Sequence, residues 1–265
     1  MSSLPNPKDF NNFKIELSNK IEFDEMQQDY DLNNIYNSFK KNPIPAGYIS
    51  KIFDIDILKY NPKAKEILKE YVTFSKEDDS LVITLKNNEE IKTIAIHRSL
   101  NKDNKIIKWK TYGSKKYIHH RIKDDFVFIV YGMSEILLCE LFDISYIAFQ
   151  RDSIALNLNN HTQWIEEIKP KLENKYLFLL LDNDESCRKT INPIKEQFEE
   201  SQIIIPIEME DLEVMEKAFL YGGTLKQQVP KGFDFRDYCN EIKNPQKIEE
   251  ILKETIKAKL WILKI

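Results

Sequence analysis

The spacing of apolar residues changes once along the chain, near residue 125. Upstream, SLVITL (80 to 85) and IKTIAIHR (91 to 98) flank the turn-forming Asn87 and Asn88 and predict a hairpin. A third extended piece, KIIKWKTY, ends at Gly113, and Pro62 opens KAKEILKEYV, whose Ala64, Ile67, Leu68 and Tyr71 share one helical face. Downstream, short apolar runs alternate with amphipathic stretches. FVFIV (126 to 130) leads into a helix over SEILLCELF, and ISYIAF (144 to 149) into one around His161 to Ile168. YLFLLL (176 to 181) precedes a helix from about Ser186 to Glu200, and IIIPI (203 to 207) closes the series. Single helices between short apolar strands predict βαβ units and a parallel sheet covered on both faces. A break over 208 to 230 follows, then GFDFRDYCNEI and a last helix from Pro245 to Leu263. Glu208, Glu210, Asp211 and Glu213 read as the solvated start of a helix.

This division gives an N-terminal arm with one or two short helices (1–42), a small β-rich α+β subdomain (43–124), an α/β domain (125–240) and a C-terminal helix (241–265). With 265 residues the chain is long enough to bury a substantial core. No apolar run approaches the roughly 20 residues that span a bilayer, and the first residues lack the pattern of a signal peptide, so a cytoplasmic protein is expected, with no membrane partner. Cys139, Cys187 and Cys239 lie far apart with no CxxC, which signals neither disulfides nor a zinc site; small buried thiols are expected.

The net charge of −4 conceals an asymmetry. From His97 to Lys123, Arg98, Lys102, Lys105, Lys108, Lys110, Lys115, Lys116, Arg121 and Lys123 face one acid, Asp103. Trp109, Tyr112 and Tyr117 are interleaved with them. Cations track a phosphate backbone while aromatic faces stack on unpaired bases, so Arg98, Lys108, Trp109, Lys110, Lys115, Lys116 and Arg121 are candidate single-stranded nucleic-acid contacts. Adjacent His119 and His120 point to opposite sides of an extended piece and do not share an ion; both are expected at the surface of this basic strip.

The strongest chemical signal is Asp182-Asn183-Asp184, placed on the end of an apolar strand where open α/β sheets gather their ligands. Tyr131-Gly132 ends the first strand of the series, and Asp234 and Asp237 follow the fourth. Clustered carboxylates suit Mg²⁺ or Mn²⁺, which is held by a few acids together with water and substrate phosphates.

These segments resemble the TOPRIM family, the catalytic fold of bacterial-type primases, topoisomerases and some nucleases. FVFIVYGMSEILL is similar to its strand, Glu-Gly turn and helix, LFLLLDNDESCRKT to its Asp-x-Asp motif, and FDFRDY to its late acidic stretch. LVITLKNNEEIKTIAIHR followed by KWKTYGSKKY is similar to the basic subdomain that precedes TOPRIM in primases, and this order favours the primase branch. The resemblance implies catalytic roles for Asp182, Asp184 and Glu135, and Mg²⁺ or Mn²⁺ held by Asp182, Asp184, Asp234 and Asp237. It also implies binding of single-stranded DNA and nucleotides, with primer synthesis for a plasmid, phage or other mobile element. A replicative helicase or another replication protein is an expected partner. The chain departs from the pattern at Tyr131, where the family has Glu; a phenol with a pKa of about 10 is neither a strong Mg²⁺ ligand nor a ready base. A binding module that has lost catalysis and a metal-dependent nuclease therefore remain as alternatives.

Overall fold

In the computed structural model, residues 31–45, 47–51, 59, 61, 63–87, 90–97, 109–114, 117–158, 162–198, 203–216 and 229–263 are described. Among them two sheets share the work of the fold. Helix α1 (Leu32–Lys40) starts at Asp31, whose Oδ1 accepts the Asn34 N–H. Helix α2 (Ala64–Tyr71) runs straight into β1 (Val72–Ser75), and β2 (Ser80–Asn87), β3 (Glu90–His97) and β4 (Trp109–Gly113) complete an antiparallel sheet in sequence order.

The second sheet contains β5 (His119–Arg121), β6 (Phe126–Tyr131), β7 (Tyr146–Phe149), β8 (Tyr176–Leu181) and β9 (Ile203–Glu208), in the order β5-β7-β6-β8-β9. All its pairs are parallel except β5 with β7. The connections are made by α3 (Met133–Leu141), α4 (Asp152–Leu156), α5 (Thr162–Ile168), α6 (Glu185–Arg188) and α7 (Ile191–Phe198). After β9 come α8 (Met209–Met215), α9 (Phe235–Ile242) and α10 (Pro245–Leu263). The mixed α/β architecture and the mainly parallel sheet agree with the alternation of apolar runs. The expected helix from 186 to 200 is instead two helices, α6 and α7, broken at Lys189-Thr190; there the Thr190 hydroxyl donates to the Cys187 carbonyl at 2.6 Å.

Strand periodicity explains the two cores. Phe128, Val130, Tyr146, Ala148, Phe178 and Leu180 pack toward α3, α9 and α10. The alternate residues Val127, Ile129, Tyr131, Ile147, Phe149, Leu177 and Leu179 pack toward α4, α5 and α7. Both faces are therefore apolar and buried, as parallel strands require, and each fully buried aliphatic or aromatic side chain contributes roughly 1.5–3 kcal/mol. Helix α3 is buried on every side. The antiparallel sheet joins the first core through Phe74, Leu81, Ile83 and Leu85, and α1 covers its other face through Tyr36, Val82, Ile94 and Ile96.

One link ties the two sheets together, and another fastens β5 to the end of α3. Gln150, just beyond β7, donates its amide to the Ser114 and Tyr117 carbonyls at 2.9 and 3.2 Å and to Thr93 Oγ1 at 3.2 Å. Arg121 on β5 reaches Glu140 at 3.2 Å and Asp143 at 3.1 Å. His119 corrects the expectation of a surface histidine: pairing of β5 with β7 buries it to 5% exposure among Tyr71, Tyr117 and Tyr146, while His120 on the opposite side stays half-buried. Tyr117, expected to offer a stacking face, is 1% exposed and belongs to the core. Cys139, Cys187 and Cys239 are buried free thiols, as expected. Among the described residues no helix is long and apolar enough to cross a membrane.

Candidate functional site

The chain runs from β6 to β7 on one side of β6 and then crosses to β8 on the other. The carboxyl ends of β6 and β8 thus flank the point where the winding reverses, which is where an open sheet leaves a crevice. A cleft of ≈ 260 Å³ lies there, lined in part by Gly132, Ser134, Glu135, Arg151, Asp152, Asp182, Asp184, Asp234 and Arg236.

Gly132 makes the β6–α3 turn at φ 108°, a conformation that favours glycine, while its N–H donates to the Phe149 carbonyl at 2.8 Å. Glu135, in the first turn of α3, folds back over this turn. A Cβ at position 132 would collide with Glu135 Oε2. Glu135 is 4% exposed, and its pKa is pushed well above the carboxylate range by burial and then by Asp234 and Asp182, with Arg236 opposing. Asp182, at the end of β8, is pushed up to about 8 by burial and then by Asp234, Asp184 and Asp152, again against Arg236. Like charges in a partly dry cleft favour protonation, so these acids are short of positive charge.

Asp184 and Asp234 each spend one oxygen on a helix start. Asp184 Oδ1 accepts the Cys187 N–H at 2.6 Å, and Asp234 Oδ1 accepts the Asp237 N–H at 2.8 Å. Asp237 returns a bond to the Asp234 N–H, completing a capping box, and does not line the cleft. Arg236 bonds Asp234 and Asp237 at 3.2 and 3.3 Å. The middle residue of the DND stretch does the positioning. Asn183 donates its amide to the Val229 and Pro230 carbonyls, its backbone bonds Gly232 and Phe233, and its Oδ1 accepts from Arg188. This lattice draws the segment before Asp234 onto the end of β8.

Tyr131 lines the cleft wall, but strand parity turns its side chain toward the second core. Its side chain enters the second core, stacks on Phe149 at 6.0 Å between centroids and bonds Thr190 Oγ1 at 2.6 Å. Burial raises its phenol pKa further, so it is no base.

No family model and no curated protein matches the chain. Among solved structures, one to which the chain is similar is that of bacteriophage T7 lagging-strand DNA polymerase interacting with primase domains of two gp4 subunits bound to an RNA/DNA hybrid and dTTP. The similarity covers 71% of this chain and 85% of that chain, at 13% identity and a TM-score of 0.45. At that level nothing about the chemistry of this chain follows from the likeness.

Asp182, Asp184, Asp234 and Glu135 are thus brought to one cleft, and Asp237 stands behind it. Among the described residues no three His, Cys, Asp or Glu side chains form a ready-made ligand set for an ion. Of the basic candidates, Arg98, Lys108, Lys115 and Lys116 lie outside the described residues, and Trp109 is placed only by its backbone on β4. Lys110 lies 5.1 Å over the Tyr112 ring and 3.7 Å from Asp78. Arg121 is engaged by Glu140, Asp143 and the carbonyls of Cys139 and Ile144, a structural placement away from the cleft. Sequence reasoning missed Asn183, Arg151, Asp152 and Arg236. Asn183 and Arg236 sit inside the acidic segments already singled out; Arg151 and Asp152 follow β7, whose end carries neither paired acids nor a glycine turn.

Proposed function

We propose that this chain is a primase-like protein whose cleft joins nucleotides on a single-stranded DNA template with Mg²⁺ or Mn²⁺. The observation that carries the reading is the return of Glu135 over Gly132. It supplies, from the helix, a carboxylate beside Asp182 and Asp234 that the strand end lacks because Tyr131 stands there. The donors are all oxygen and short of positive charge, which suits a hard divalent cation that keeps several waters. Asp182 and Glu135 would hold it, with the second oxygen of Asp184; that of Asp234 accepts from Arg236. The ion would supply charge neutralisation at the attacked phosphate. The chain's own residues would orient that phosphate, with Asp182 and Glu135 ionised once the cation is bound. The basic residues between Arg98 and Lys116 would track the template backbone.

A second reading, a TOPRIM-like module that binds nucleic acid without turnover, is favoured by the oxygens that Asp184 and Asp234 already commit to helix N–H groups. One assay separates the readings. The chain and Asp182→Asn are each incubated with single-stranded DNA, nucleoside triphosphates and Mg²⁺ or Mn²⁺. Primer synthesis lost by at least 100-fold in the variant supports the first reading (about 2.7 kcal/mol of barrier). DNA cleavage lost in the variant points to a nuclease, and DNA binding without turnover supports the second reading.

A further inference from the structure

We propose, resting on the nucleotide-joining reading above, that Arg151, Ser134 and the start of α3 form a subsite for a substrate phosphate at the mouth of the acid cleft. Five carboxylates line this cleft, yet its two guanidinium groups differ. Arg236 is held by Asp234 and Asp237, whereas Arg151 is exposed and makes no ion pair or side-chain hydrogen bond among the described residues. Ser134 also lines the cleft. It is 6% exposed, and its hydroxyl has no hydrogen-bond partner among the described residues. It occupies the first turn of α3, whose N-cap, Gly132, offers no side-chain acceptor. Glu135 takes its own first-turn N–H, which leaves those of Met133 and Ser134 at the helix start; together with a hydroxyl that opens on the cleft and a guanidinium unpaired among the described residues, they form a donor set that a phosphate satisfies.

Arg151 is also held in place through its neighbours. The Gln150 amide is fixed by Ser114, Tyr117 and Thr93. On the other side, Asp152 accepts from the Ser153 N–H at 2.7 Å and from the Ser186 hydroxyl. The backbone of Arg151 is extended, at φ −162° and ψ 157°. Because the adjacent acids repel a bare anion, the phosphate binds together with a divalent cation. The fork of Arg151 suits two phosphate oxygens, a geometry that lysine does not reproduce. Two sources carry this chemistry: the triphosphate of a nucleotide, and a backbone phosphate of single-stranded DNA.

The test is calorimetric titration of the full chain in Ca²⁺ and in Mn²⁺. The probes are inorganic triphosphate, ATP and a single-stranded oligodeoxynucleotide without a terminal phosphate; the proteins are wild type, Arg151→Ala, Arg151→Lys and Ser134→Ala. The expected result is about tenfold weaker binding of both triphosphates by Arg151→Ala, a loss that Lys restores only in part, and a smaller loss with Ser134→Ala. The unfolding midpoint of Arg151→Ala should match wild type. Weakened oligonucleotide binding alone, with a salt slope reduced by about one ion, keeps the subsite and assigns it to the DNA backbone. Unchanged affinity for all three probes, or no binding of any by wild type, overturns it. Binding in Ca²⁺ does not require turnover, so the outcomes separate. Arg151-dependent binding without primer synthesis sinks only the catalytic reading; primer synthesis with Arg151-independent binding sinks only the subsite.

Discussion

Helix α3 carries two buried glutamates, one near each end, and the protein treats them differently. Glu140, 4% exposed, receives the Tyr146 hydroxyl at 2.6 Å and the Arg121 guanidinium at 3.2 Å. Burial raises its pKa, while Tyr146, Arg121 and Tyr71 pull it back. Glu135, equally buried, faces Asp182 and Asp234, and the nearby Arg236 already bonds Asp234 and Asp237. A buried acid that serves the fold is given its counter-charge by the fold. One left among other acids destabilises the folded chain until something outside it arrives, and that difference separates a structural carboxylate from a candidate site.

The comparison breaks most visibly at Arg121. Arg121→Met should cost roughly 3 kcal/mol in urea unfolding, because it strands Glu140 in the core, and adding Glu140→Gln should recover part of the loss. Loss of less than about 0.5 kcal/mol in the single variant would mean that Glu140 is already neutral.

At the other end the sign reverses. Glu135→Gln and Asp182→Asn should each stabilise the metal-free chain by roughly 1–2 kcal/mol at pH 8 while abolishing turnover. The pH dependence follows from Asp182, whose folded pKa of about 8 lies above its ordinary value near 4. The folded state keeps a proton that the unfolded state releases. This contribution is complete below about pH 4 and is lost as pH rises through about 8. The melting temperature without divalent ions should therefore fall between pH 5 and 8, and Asp182→Asn should flatten that fall. Millimolar Mn²⁺ should raise the melting temperature of the wild type at pH 8 and leave Asp182→Asn unmoved.

A smaller effect of opposite slope comes from His119. Burial, followed by His120 and Arg121, lowers its pKa to about 3, below an ordinary value near 6.5. The stability held by the neutral ring is present above about pH 6.5 and is lost as pH falls through about 3, so His119→Phe should soften acid unfolding. Smallest of all, Lys110→Ala should change stability by under about 0.5 kcal/mol, because the Asp78 pair is partly exposed and long. Any large effect of that variant should appear in single-stranded DNA affinity.

The sheet was legible because its strands are apolar on both faces and bounded by turns, as YLFLLL before Asp182 illustrates. The gathering of Gly132, Asp182 and Asp234 was legible for the same reason, since parallel strands deliver their ends to one edge. Glu135 was a candidate through the resemblance alone; its fold back toward the strand end was not legible, because it depends on the left-handed turn at Gly132 that leaves room for its return. His119 was misread because a three-residue strand carries too little pattern to reveal its partner, and antiparallel pairing with β7 decides which of two adjacent histidines is buried. Arg151 was missed because an exposed arginine after a strand has no signature until its neighbours' ties are known.

The packing of Glu135 against Gly132 also limits how the sequence can drift. Alanine at 132 would require both an unfavourable backbone conformation and withdrawal of the Glu135 carboxylate, so the effects of changes at the two positions should not add. A chain that drops the acid at 135 frees position 132 only from the collision, whereas one that changes 132 first loses the acid's placement as well. Descendants of this sequence that keep the cleft acidic should therefore retain both residues, and those that have lost Glu135 should still favour glycine at 132 for its backbone conformation.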